Sequence, residues 1–409
     1  MIIRATAVVT MDGPPIENGA VVISGDRIVD VGNFSDLKRR HSGQKIVDLG
    51  EQTLLPGLIN AHCHLDYTCL RGKIPRPKSF TEWIRSINTE KTKLSARDYV
   101  RSIEEGFAEA RQFGTTAVAN LTAFPELASK IDAPIRTWWF GELVDVRAPG
   151  RAAEIVNLAV DQLKSQKYWG LAPHAPFTAS AKLFQQCAEV ARCEDILLTT
   201  HLAESSGEMS MFRDAKGDLY DFLTELGRDM RDCGHTTPLK QFLGRDGSPN
   251  GPGSIEINHA YLLVHLNELE ENDFDLLGKS RREFSVVHCP RSHAYFGHSP
   301  FQFEKLRKVG FNPCLGTDSL ASNQNLSLFA EMRVFQMQFP DVATEEILKM
   351  VTVNAARALG QEASLGRIRT GFMADLIAVP VKRSTRLFDE VIGFEQPLVW
   401  SMASGQISA

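Results

Sequence analysis

The middle of the chain alternates short apolar runs with amphipathic stretches of helical period, and this alternation restricts the fold more than any other feature of the sequence. Eight candidate strands follow one another at residues 54–64, 115–120, 135–143, 170–174, 196–201, 261–266, 284–289 and 312–318. Helical stretches lie between several of them, at 99–113, 179–191, 268–277 and 300–309. Strands that alternate with helices are typical of βα units and a parallel sheet. Eight such units in about 300 residues predict an α/β fold, a (β/α)₈ TIM barrel, whose chemistry lies at the C-terminal strand ends.

A doubly wound open sheet is the competing layout for the same pattern. No glycine-rich dinucleotide fingerprint and no phosphate-binding loop follow the first candidate strand. The barrel is therefore the preferred prediction.

Both ends of the chain differ in texture from the middle. Residues 7–11 and 19–32 hold short β-branched runs separated by turn residues, and residues 371–380 and 397–405 repeat that texture. Such runs are typical of antiparallel β-hairpins. We therefore predict one small β-sandwich domain from residues 1–54 plus 365–409, with residues 55–364 forming the barrel.

Composition narrows the class of partner. The chain of 409 residues has a formal net charge of -5, so we expect a small-molecule substrate and no nucleic acid. No apolar stretch approaches membrane-spanning length, and the first residues lack the pattern of a signal peptide. Seven cysteines without a Cys-x-x-Cys pair indicate reduced thiols. These features predict a cytoplasmic protein that does not bind membranes.

Two histidines one residue apart, His62 and His64, end the first candidate strand. Side chains alternate between the faces of a strand, so both imidazoles project from one face while Cys63 points the other way. A lone His-x-His is more often two unrelated histidines than half of a metal site. The pair therefore needs partners elsewhere in the chain.

Further histidines and one aspartate stand at other strand ends, which a barrel brings together. They are His174, His201, His265, His288 and Asp318. Three imidazoles and a carboxylate suit Zn²⁺, with Fe²⁺ or Mn²⁺ as alternatives. A metal held in this way lowers the pKa of water and so supplies a nucleophile at neutral pH.

Glu204 follows His201 by three residues and can reach over the same cavity without joining the metal ligands. That is the position of a general acid or base. The alternative for Glu204 is a solvated carboxylate that caps the helix beginning near Ser205. A metal-activated water beside a carboxylic acid predicts hydrolytic removal of an amine from an electron-poor C=N bond.

An ordered set of motifs extends this interpretation over nearly the whole chain. The motifs are LPGLINAHCHLD (55–66), LRG (70–72), GTT (114–116), PHAPFT (173–178), HLAE (201–204), HCPRS (288–292), LGTDSLASN (315–323) and GFMADL (371–376). On these residues the sequence resembles the amidohydrolase superfamily. Within that superfamily it is similar to the cytosine deaminase-like group, which includes triazine hydrolases, S-adenosylhomocysteine deaminases and aminodeoxyfutalosine deaminases.

The resemblance implies the ligands of one divalent metal ion. Carried over by position, they are His62, His64, His201 and Asp318. Binuclear relatives use a carboxylated lysine at the end of strand four, where this chain has His174 and no lysine. One metal ion is therefore expected, with zinc preferred.

The resemblance also implies the catalytic groups. Glu204 would protonate the ring nitrogen next to the attacked carbon, and His265 would orient the water. Asp318 would take the proton of that water and pass it to the leaving group, while His174 would contact the substrate near the reacting atom. His259 is a weaker candidate for the role of His265.

The segment after the first strand is the predicted substrate loop. Residues 70–83 mix four cations with Phe80 and Trp83. The aromatic rings could stack on a base, and Arg71 or Lys73 could pair with a carboxylate on the distal part of a substrate. The alternative is a solvated loop anchored to the barrel by its aromatic rings.

Two positions depart from the pattern of the relatives, and two histidines have no motif. Asp66 stands where relatives often have a Glu that helps to bind the ribose, and His293 stands where they often have Asn. Both positions set specificity, so Asp66 is a candidate substrate-binding residue. His235 and His298 are expected at the surface.

Three functions agree with these observations. The first is a metal-dependent hydrolytic deaminase of an adenine-type nucleoside, such as aminodeoxyfutalosine, S-adenosylhomocysteine or methylthioadenosine. The second is a deaminase or chlorohydrolase that acts on a free base, a pterin or a triazine. The third is a catalytically silent barrel that serves as a binding protein. A homodimer is possible for any of them.

Overall fold

The computed structural model describes residues 1–244, 261–279, 284–381 and 385–408. Its centre is a curled sheet of parallel strands wrapped by helices, and two smaller sheets contain the two ends of the chain. The predicted α/β barrel fold is therefore confirmed.

The N-terminal part of the chain builds most of the smaller sheets. Its elements are β1 (Ile2–Arg4), β2 (Ala7–Val8), β3 (Ile16–Glu17), β4 (Gly19–Ser24), β5 (Arg27–Asn33), α1 (Phe34–Arg40), β6 (Ile46–Asp48) and β7 (Thr53–Pro56). Strands β5, β4, β1 and β6 form one sheet in that order. Strands β3, β2 and β7 belong to the other.

The barrel sheet follows. Its strands are β8 (Leu58–His64), β9 (Thr115–Thr122), β10 (Arg136–Leu143), β11 (Trp169–Pro173), β12 (Leu197–Leu202), β13 (Tyr261–His265), β14 (Phe284–His288), β15 (Asn312–Leu315) and β16 (Asp318–Ser319). Neighbouring strands from β8 to β15 pair in parallel in chain order. Their residues are almost all buried, as expected for a parallel sheet that is covered on both faces.

The first predicted strand, 54–64, is wrong as a single element. Thr53–Pro56 pairs with β2 and enters a terminal sheet, and only Leu58–His64 enters the barrel. The break falls at Gly57, where a Cβ atom would lie 2.1 Å from the Thr116 hydroxyl oxygen. Both halves are equally apolar, so their composition carries no signal of the change of sheet.

The eighth predicted strand, 312–318, is interrupted, and the interruption closes the barrel. Strand β15 pairs with β14, whereas β16 pairs with β8 at the opposite end of the sheet. Between the two halves, the Gly316 amide donates to the His288 carbonyl at 3.0 Å. The Thr317 amide donates to the His62 carbonyl at 3.0 Å. A Cβ atom on Gly316 would lie 2.7 Å from the His62 carbonyl oxygen, so this position requires glycine.

Helices cover the outside of the barrel. They are α2 (Phe80–Lys91), α3 (Ala96–Gln112), α4 (Ala152–Leu163), α5 (Ala181–Glu194), α6 (Ser206–Asp214), α7 (Asp218–Glu225), α8 (Pro238–Leu243), α9 (Glu271–Lys279), α10 (Pro290–Phe296), α11 (Phe303–Lys308), α12 (Leu328–Gln338), α13 (Thr344–Met350) and α14 (Val353–Ala358). The predicted helices are present with shifted ends. Helix α3 begins three residues earlier than predicted because Ser95 and Asp98 form a capping box.

The chain then returns to the terminal sheets. Its last elements are β17 (Leu376–Val379), α15 (Leu387–Ile392), β18 (Ser401–Ala403) and β19 (Gln406–Ser408). The second terminal sheet has the order β19, β18, β17, β7, β2, β3. One buried apolar cluster contains Ile3 of the first sheet and Leu54 and Leu376 of the second. This shared core supports the predicted β-sandwich, and the division of the chain at residues 54 and 365 stays a prediction.

Two predictions from composition can be compared with the structure. All seven cysteines are unpaired thiols, five of them buried. In the part of the chain that the structure describes, no helix has the length and apolarity needed to cross a membrane. The cytoplasmic location and the homodimer stay predictions.

A buried ion pair joins the barrel to the terminal sheets. Arg136, the first residue of β10, donates from Nε to Asp375 Oδ2 at 2.8 Å and from Nη2 to Ser404 Oγ at 2.8 Å. The Arg136 and Asp375 side chains are only 7% and 6% exposed. Because β10 begins here, the pair lies at the N-terminal end of the barrel, opposite the strand ends that carry the histidines.

Removing one partner of this pair should destabilise the protein. Asp375→Asn keeps the size of the side chain and leaves the buried guanidinium without a counter-charge. We expect the free energy of unfolding to fall by about 3 kcal/mol, measured by urea denaturation. Glu225→Gln is the control, because its pair with Arg85 is more than half exposed on both sides, and it should cost less than about 1 kcal/mol. Equal losses in the two variants would contradict this role of Asp375.

Candidate active site

Three imidazoles converge at the C-terminal ends of β8 and β12. One ring nitrogen from each of His62, His64 and His201 lies within 4.8 Å of the others. His64 Nε2 faces His201 Nε2 at 3.3 Å. The ring centroid of His62 lies 4.9 Å from that of His64 and 5.0 Å from that of His201. All three residues are buried. The structure thus brings together the two histidines of β8 and one from the fifth barrel strand.

Burial favours the neutral form of two of these imidazoles, and the third has no hydrogen-bond partner among the described residues. Burial lowers the pKa of His64 to about 4 and holds the pKa of His201 well below its ordinary value. His201 Nδ1 contacts the His174 carbonyl at 2.9 Å, so its N–H points there and its Nε2 lone pair faces the cluster. Both ring nitrogens of His62 are buried without a hydrogen-bond partner in the described residues. A cation at the cluster would satisfy these lone pairs.

Asp318 adds a carboxylate to the cluster. Its Oδ1 lies 3.7 Å from His62 Nε2 and 3.9 Å from His64 Nε2. Ser292 Oγ donates to Oδ2 at 2.6 Å, which leaves Oδ1 facing the imidazoles. Burial opposes ionisation, but the neighbouring imidazoles of His62, His265 and His64 hold the pKa of Asp318 well below its usual range. Three imidazoles with one carboxylate form a ligand set suited to one divalent ion, Zn²⁺ above all.

A second group of possible ligands shares His201 with the first. One carboxylate oxygen of Glu142 and one ring nitrogen each of His174 and His201 lie within 4.8 Å of one another. Because His201 Nδ1 is engaged with a carbonyl, only its Nε2 offers a lone pair, and one lone pair binds one ion. The two groups therefore compete for His201, in agreement with the predicted single metal ion.

Glu204 lies directly after β12, beside the imidazoles. Its Oε1 is 3.6 Å from His265 Nε2, and its side chain is 9% exposed. Burial, followed by the negative charges of Asp318 and Glu208, raises the pKa of Glu204 well above its ordinary value. Burial therefore favours the protonated form of Glu204, the form that a proton donor needs.

The backbone of Glu204 is held by hydrogen bonds at both its amide and its carbonyl. Its amide donates to Glu208 Oε2 at 2.8 Å, and its carbonyl accepts from Asn267 Nδ2 at 2.9 Å. The alternative of a solvated helix cap is wrong, because Ser205 caps α6 and its side chain accepts from the Glu208 amide. The carboxyl of Glu204 is thus not used to cap α6 and lies beside the imidazoles.

Strained backbone marks the ends of the strands that form this site. Ala203, His265, Leu266 and Asp318 all have left-handed backbone, with φ of 51°, 80°, 49° and 56°. Non-glycine residues rarely adopt this conformation, and such residues concentrate at functional sites. The turns aim Glu204, His265 and Asp318 towards one point.

The remaining strand-end histidines separate into two groups. His265 belongs to the site, because its ring centroid lies 5.5 Å from that of His201. His288 does not, because its ring stacks on Phe301 with centroids 3.9 Å apart, among buried apolar side chains. His259, the weaker candidate for the role of His265, lies outside the described residues.

One of the two histidines expected at the surface is partly buried. His235 is exposed, as predicted. The prediction for His298 is wrong, because its ring packs against Phe296 and Phe80 at centroid distances of 5.2 and 6.3 Å. Burial lowers the pKa of His298 to about 3. Its position depends in part on Phe80, which is distant in the sequence, so the local pattern alone does not predict it.

Two predicted substrate-binding residues have partners within the protein. Arg71 forms an ion pair with Glu109. Asp66 is fully buried, and its Oδ2 accepts from Thr122 Oγ1 at 3.1 Å and from the Ala123 amide at 2.9 Å. Each side chain is engaged in holding the fold, and its substrate-binding role stays a prediction.

The two predicted aromatic residues pack together, and one of them lines a cavity. Phe80 and Trp83 stack with ring centroids 5.9 Å apart, and Phe296 packs edge-on against both. A cavity of about 370 Å³ lies between the loop that includes Phe80, the start of α6 at Ser205 and the segment 296–299. Cavities of this size hold small organic ligands. Ser205, which lines the cavity, directly follows Glu204 in the chain.

Glu142 is a site residue that sequence reasoning missed. Its Oε1 lies 3.8 Å from His64 Nδ1 and 4.0 Å from His174 Nε2. Burial opposes ionisation, but the neighbouring imidazoles of His174 and His64 lower the pKa of Glu142 below its ordinary value. The sequence does carry one signal for Glu142, because this acid lies on the same face of its strand as the apolar Trp138 and Phe140.

Comparisons with known proteins agree with this geometry. The model of the amidohydrolase family matches residues 53–395, and a model of an imidazolonepropionase-like composite domain of bacteria matches residues 19–41. Over 400 residues the chain is 27% identical to a 5-methylthioadenosine/S-adenosylhomocysteine deaminase of Pyrococcus furiosus, covering 90% of this chain and 86% of the relative. It is 28% identical over 413 residues to a 5'-deoxyadenosine deaminase of Methanosarcina barkeri, covering 95% and 87%.

A solved structure has the same fold. The aminofutalosine deaminase of Helicobacter pylori, in complex with methylthio-coformycin, superposes with a TM-score of 0.86 at 20% identity, and the match covers all of both chains. The family match spans most of the chain and includes the histidines, Glu204 and Asp318. The chain belongs to the amidohydrolase family.

Proposed function

We propose that the protein is a metal-dependent hydrolytic deaminase that acts on an adenine-type nucleoside. The observation that carries the proposal is the arrangement of Glu204, a buried acid with a raised pKa, beside a cluster of three imidazoles and one carboxylate. Such a site can protonate a ring nitrogen while water adds to the neighbouring carbon. A catalytically silent barrel would not need to keep a buried acid with a raised pKa at this position.

The proposed ligands of the metal are the three clustered imidazoles and the carboxylate that faces them. They are His62, His64, His201 and Asp318. When bound, a divalent ion supplies Lewis acidity and lowers the pKa of water at the site. Ser292 orients Asp318 through the hydrogen bond to Oδ2, so that Oδ1 faces the imidazoles.

The proposed proton movements involve Glu204 and Asp318. Glu204 gives its proton to the ring nitrogen, and Asp318 accepts a proton from the water whose oxygen bonds to the ring carbon. Asp318 passes that proton to the amino group, and the C–N bond breaks to release ammonia. The hydroxyl proton of the product returns to Glu204, leaving a carbonyl beside a protonated ring nitrogen. His265, 3.6 Å from Glu204, is proposed to orient the water.

The substrate class follows from the relatives and from the cavity. Curated relatives that align over about nine-tenths of this chain are deaminases of adenine nucleosides. We propose that His174, with a side chain 28% exposed, contacts the base and that Phe80, backed by Trp83, lines the cavity that takes the distal part. A free base, a pterin or a triazine is the alternative substrate.

Replacing the proposed proton donor should slow chemistry more than binding. Glu204→Gln keeps the size of the side chain and removes the acidic proton. We expect kcat to fall by about 10²–10⁴-fold with little change in KM or in bound metal, measured by ammonia release and metal analysis. Asp273→Asn is the control, because Asp273 is equally buried but accepts from Thr237 and from the Glu270 amide away from the site. Unchanged kcat in Glu204→Gln would rule out the assignment.

Metal removal should destabilise the folded protein. The imidazole lone pairs at the cluster have too few partners without a cation, so chelation should lower Tm and added Zn²⁺ should restore it. The expected gain is about 2.7 kcal/mol at a free Zn²⁺ concentration 100 times Kd. His201→Ala should abolish the zinc dependence, and His235→Ala, at an exposed histidine, should leave it intact. A wild-type Tm that does not respond to zinc would count against the site.

A panel of amines should separate nucleosides from free bases. We expect metal-loaded protein to release ammonia from 5'-deoxyadenosine, methylthioadenosine and S-adenosylhomocysteine, and not from adenine, guanine, pterins or aminotriazines. Glu204→Gln is the blank for contaminating enzymes. Turnover of free bases or triazines with none of the nucleosides would replace the proposed substrate class and keep the reaction type.

A further inference from the structure

Glu142 lies between two histidines of the site and is not among its expected ligands. Its Oε1 is 3.8 Å from His64 Nδ1 and 4.0 Å from His174 Nε2, and its side chain is 9% exposed. The opposite edge of the His64 ring, at Nε2, faces His201 at 3.3 Å. Glu142 thus faces the outer nitrogen of His64, while the inner nitrogen points into the cluster.

The position of Glu142 selects the tautomer of His64. A neutral imidazole has one N–H and one lone pair, and a metal ligand needs the lone pair on the nitrogen that faces the ion. An anionic oxygen next to Nδ1 favours the form with the proton on Nδ1, because the N–H dipole then points at the negative charge. In that form the lone pair of His64 is on Nε2, next to His201.

His174 also faces this carboxylate, through Nε2 at 4.0 Å. Thr178 Oγ1 lies 2.6 Å from His174 Nδ1 and 3.3 Å from the Ala175 carbonyl, to which it donates. A hydroxyl can also donate to Nδ1 or accept from it, so the Thr178 contact allows either tautomer of His174. The contacts therefore assign a tautomer to His64 and none to His174.

We propose that Glu142 is a positioning residue that fixes the tautomer of His64, and so prepares His64 Nε2 to bind the metal. Outer carboxylates of this kind orient imidazole ligands and increase their basicity. The separation of Glu142 Oε1 from His64 Nδ1, 3.8 Å, is longer than a hydrogen bond, so the effect is an electrostatic preference of the ring for one oxygen. The inference rests on the proposed function only in placing the metal at the imidazole cluster.

Metal affinity measured without substrate tests this role. Glu142→Gln keeps the size of the side chain and removes the charge. We expect its affinity for Zn²⁺, measured by competition with a chromogenic chelator, to fall by about 10-fold or more. The Tm of the metal-free variant should stay within about 2 °C of wild type, since no packing is lost. Glu142→Asp keeps the charge one methylene farther away and should lose less affinity.

Asp145→Asn is the matched control for a buried acid just beyond the same strand. Asp145 is 2% exposed and accepts from the Ser180 amide at 2.7 Å and Ser180 Oγ at 2.6 Å, so it supports the start of α5. Asp145→Asn should lower Tm and leave the affinity for Zn²⁺ unchanged. The two variants therefore separate a structural loss from a loss at the metal.

Two outcomes would overturn the role of Glu142. One is an unchanged Zn²⁺ affinity with a raised KM in Glu142→Gln, which would make Glu142 a substrate contact. The other is a lowered Tm of the metal-free variant with unchanged affinity, which would make it structural. If Glu142→Gln does not fold, Glu142→Asp decides in the same way. Failure of the wild type to release ammonia from any substrate would reject the proposed function and leave the affinity result standing.

Discussion

The site depends on the backbone hydrogen bond from the Thr317 amide to the His62 carbonyl, which closes the barrel. This contact joins the last barrel strand to the first and brings Asp318 to within 3.7 Å of His62, although 256 residues separate them. Gly316 permits it, because a side chain there would overlap the His62 backbone. The side chains of Asn60 and Thr317 support the closure with a hydrogen bond of 2.8 Å. The ligand set therefore exists only in the closed barrel.

Much of the fold and of the site can be predicted because a barrel converts sequence position into spatial position. A parallel strand places its last residues at one face, so His64 and His201 meet whatever the connections between them do. The same rule also places His288 at the site, which is wrong, because the His288 ring packs on Phe301 instead. The split of residues 54–64 into two strands escapes prediction, since both halves are apolar and only the partner strands differ.

The residues that sequence reasoning missed or misplaced have partners far away in the chain. Arg71 is a cation in a polar loop. Nothing near it in the sequence indicates that it forms an ion pair with Glu109 of α3. Glu142 stands in an apolar strand, and its meaning comes from His64 and His174 on two other strands. The local sequence pattern predicts the helix or strand to which a residue belongs. The role of a charged side chain depends instead on the opposite charges or imidazoles that the fold places beside it.

Strained residues of the candidate site and contacts that stabilise the fold lie at opposite ends of the barrel. The C-terminal face holds His62, whose ring nitrogens have no hydrogen-bond partner among the described residues, and left-handed backbone at His265 and Asp318. Residues with such strained backbone cost on the order of 1–3 kcal/mol each. The opposite end holds the buried pair of Arg136 and Asp375 and the adjoining apolar core of the terminal sheets. Because the strain and the anchoring contacts lie at opposite ends of the same strands, the loops at the C-terminal face can vary without loosening the anchor.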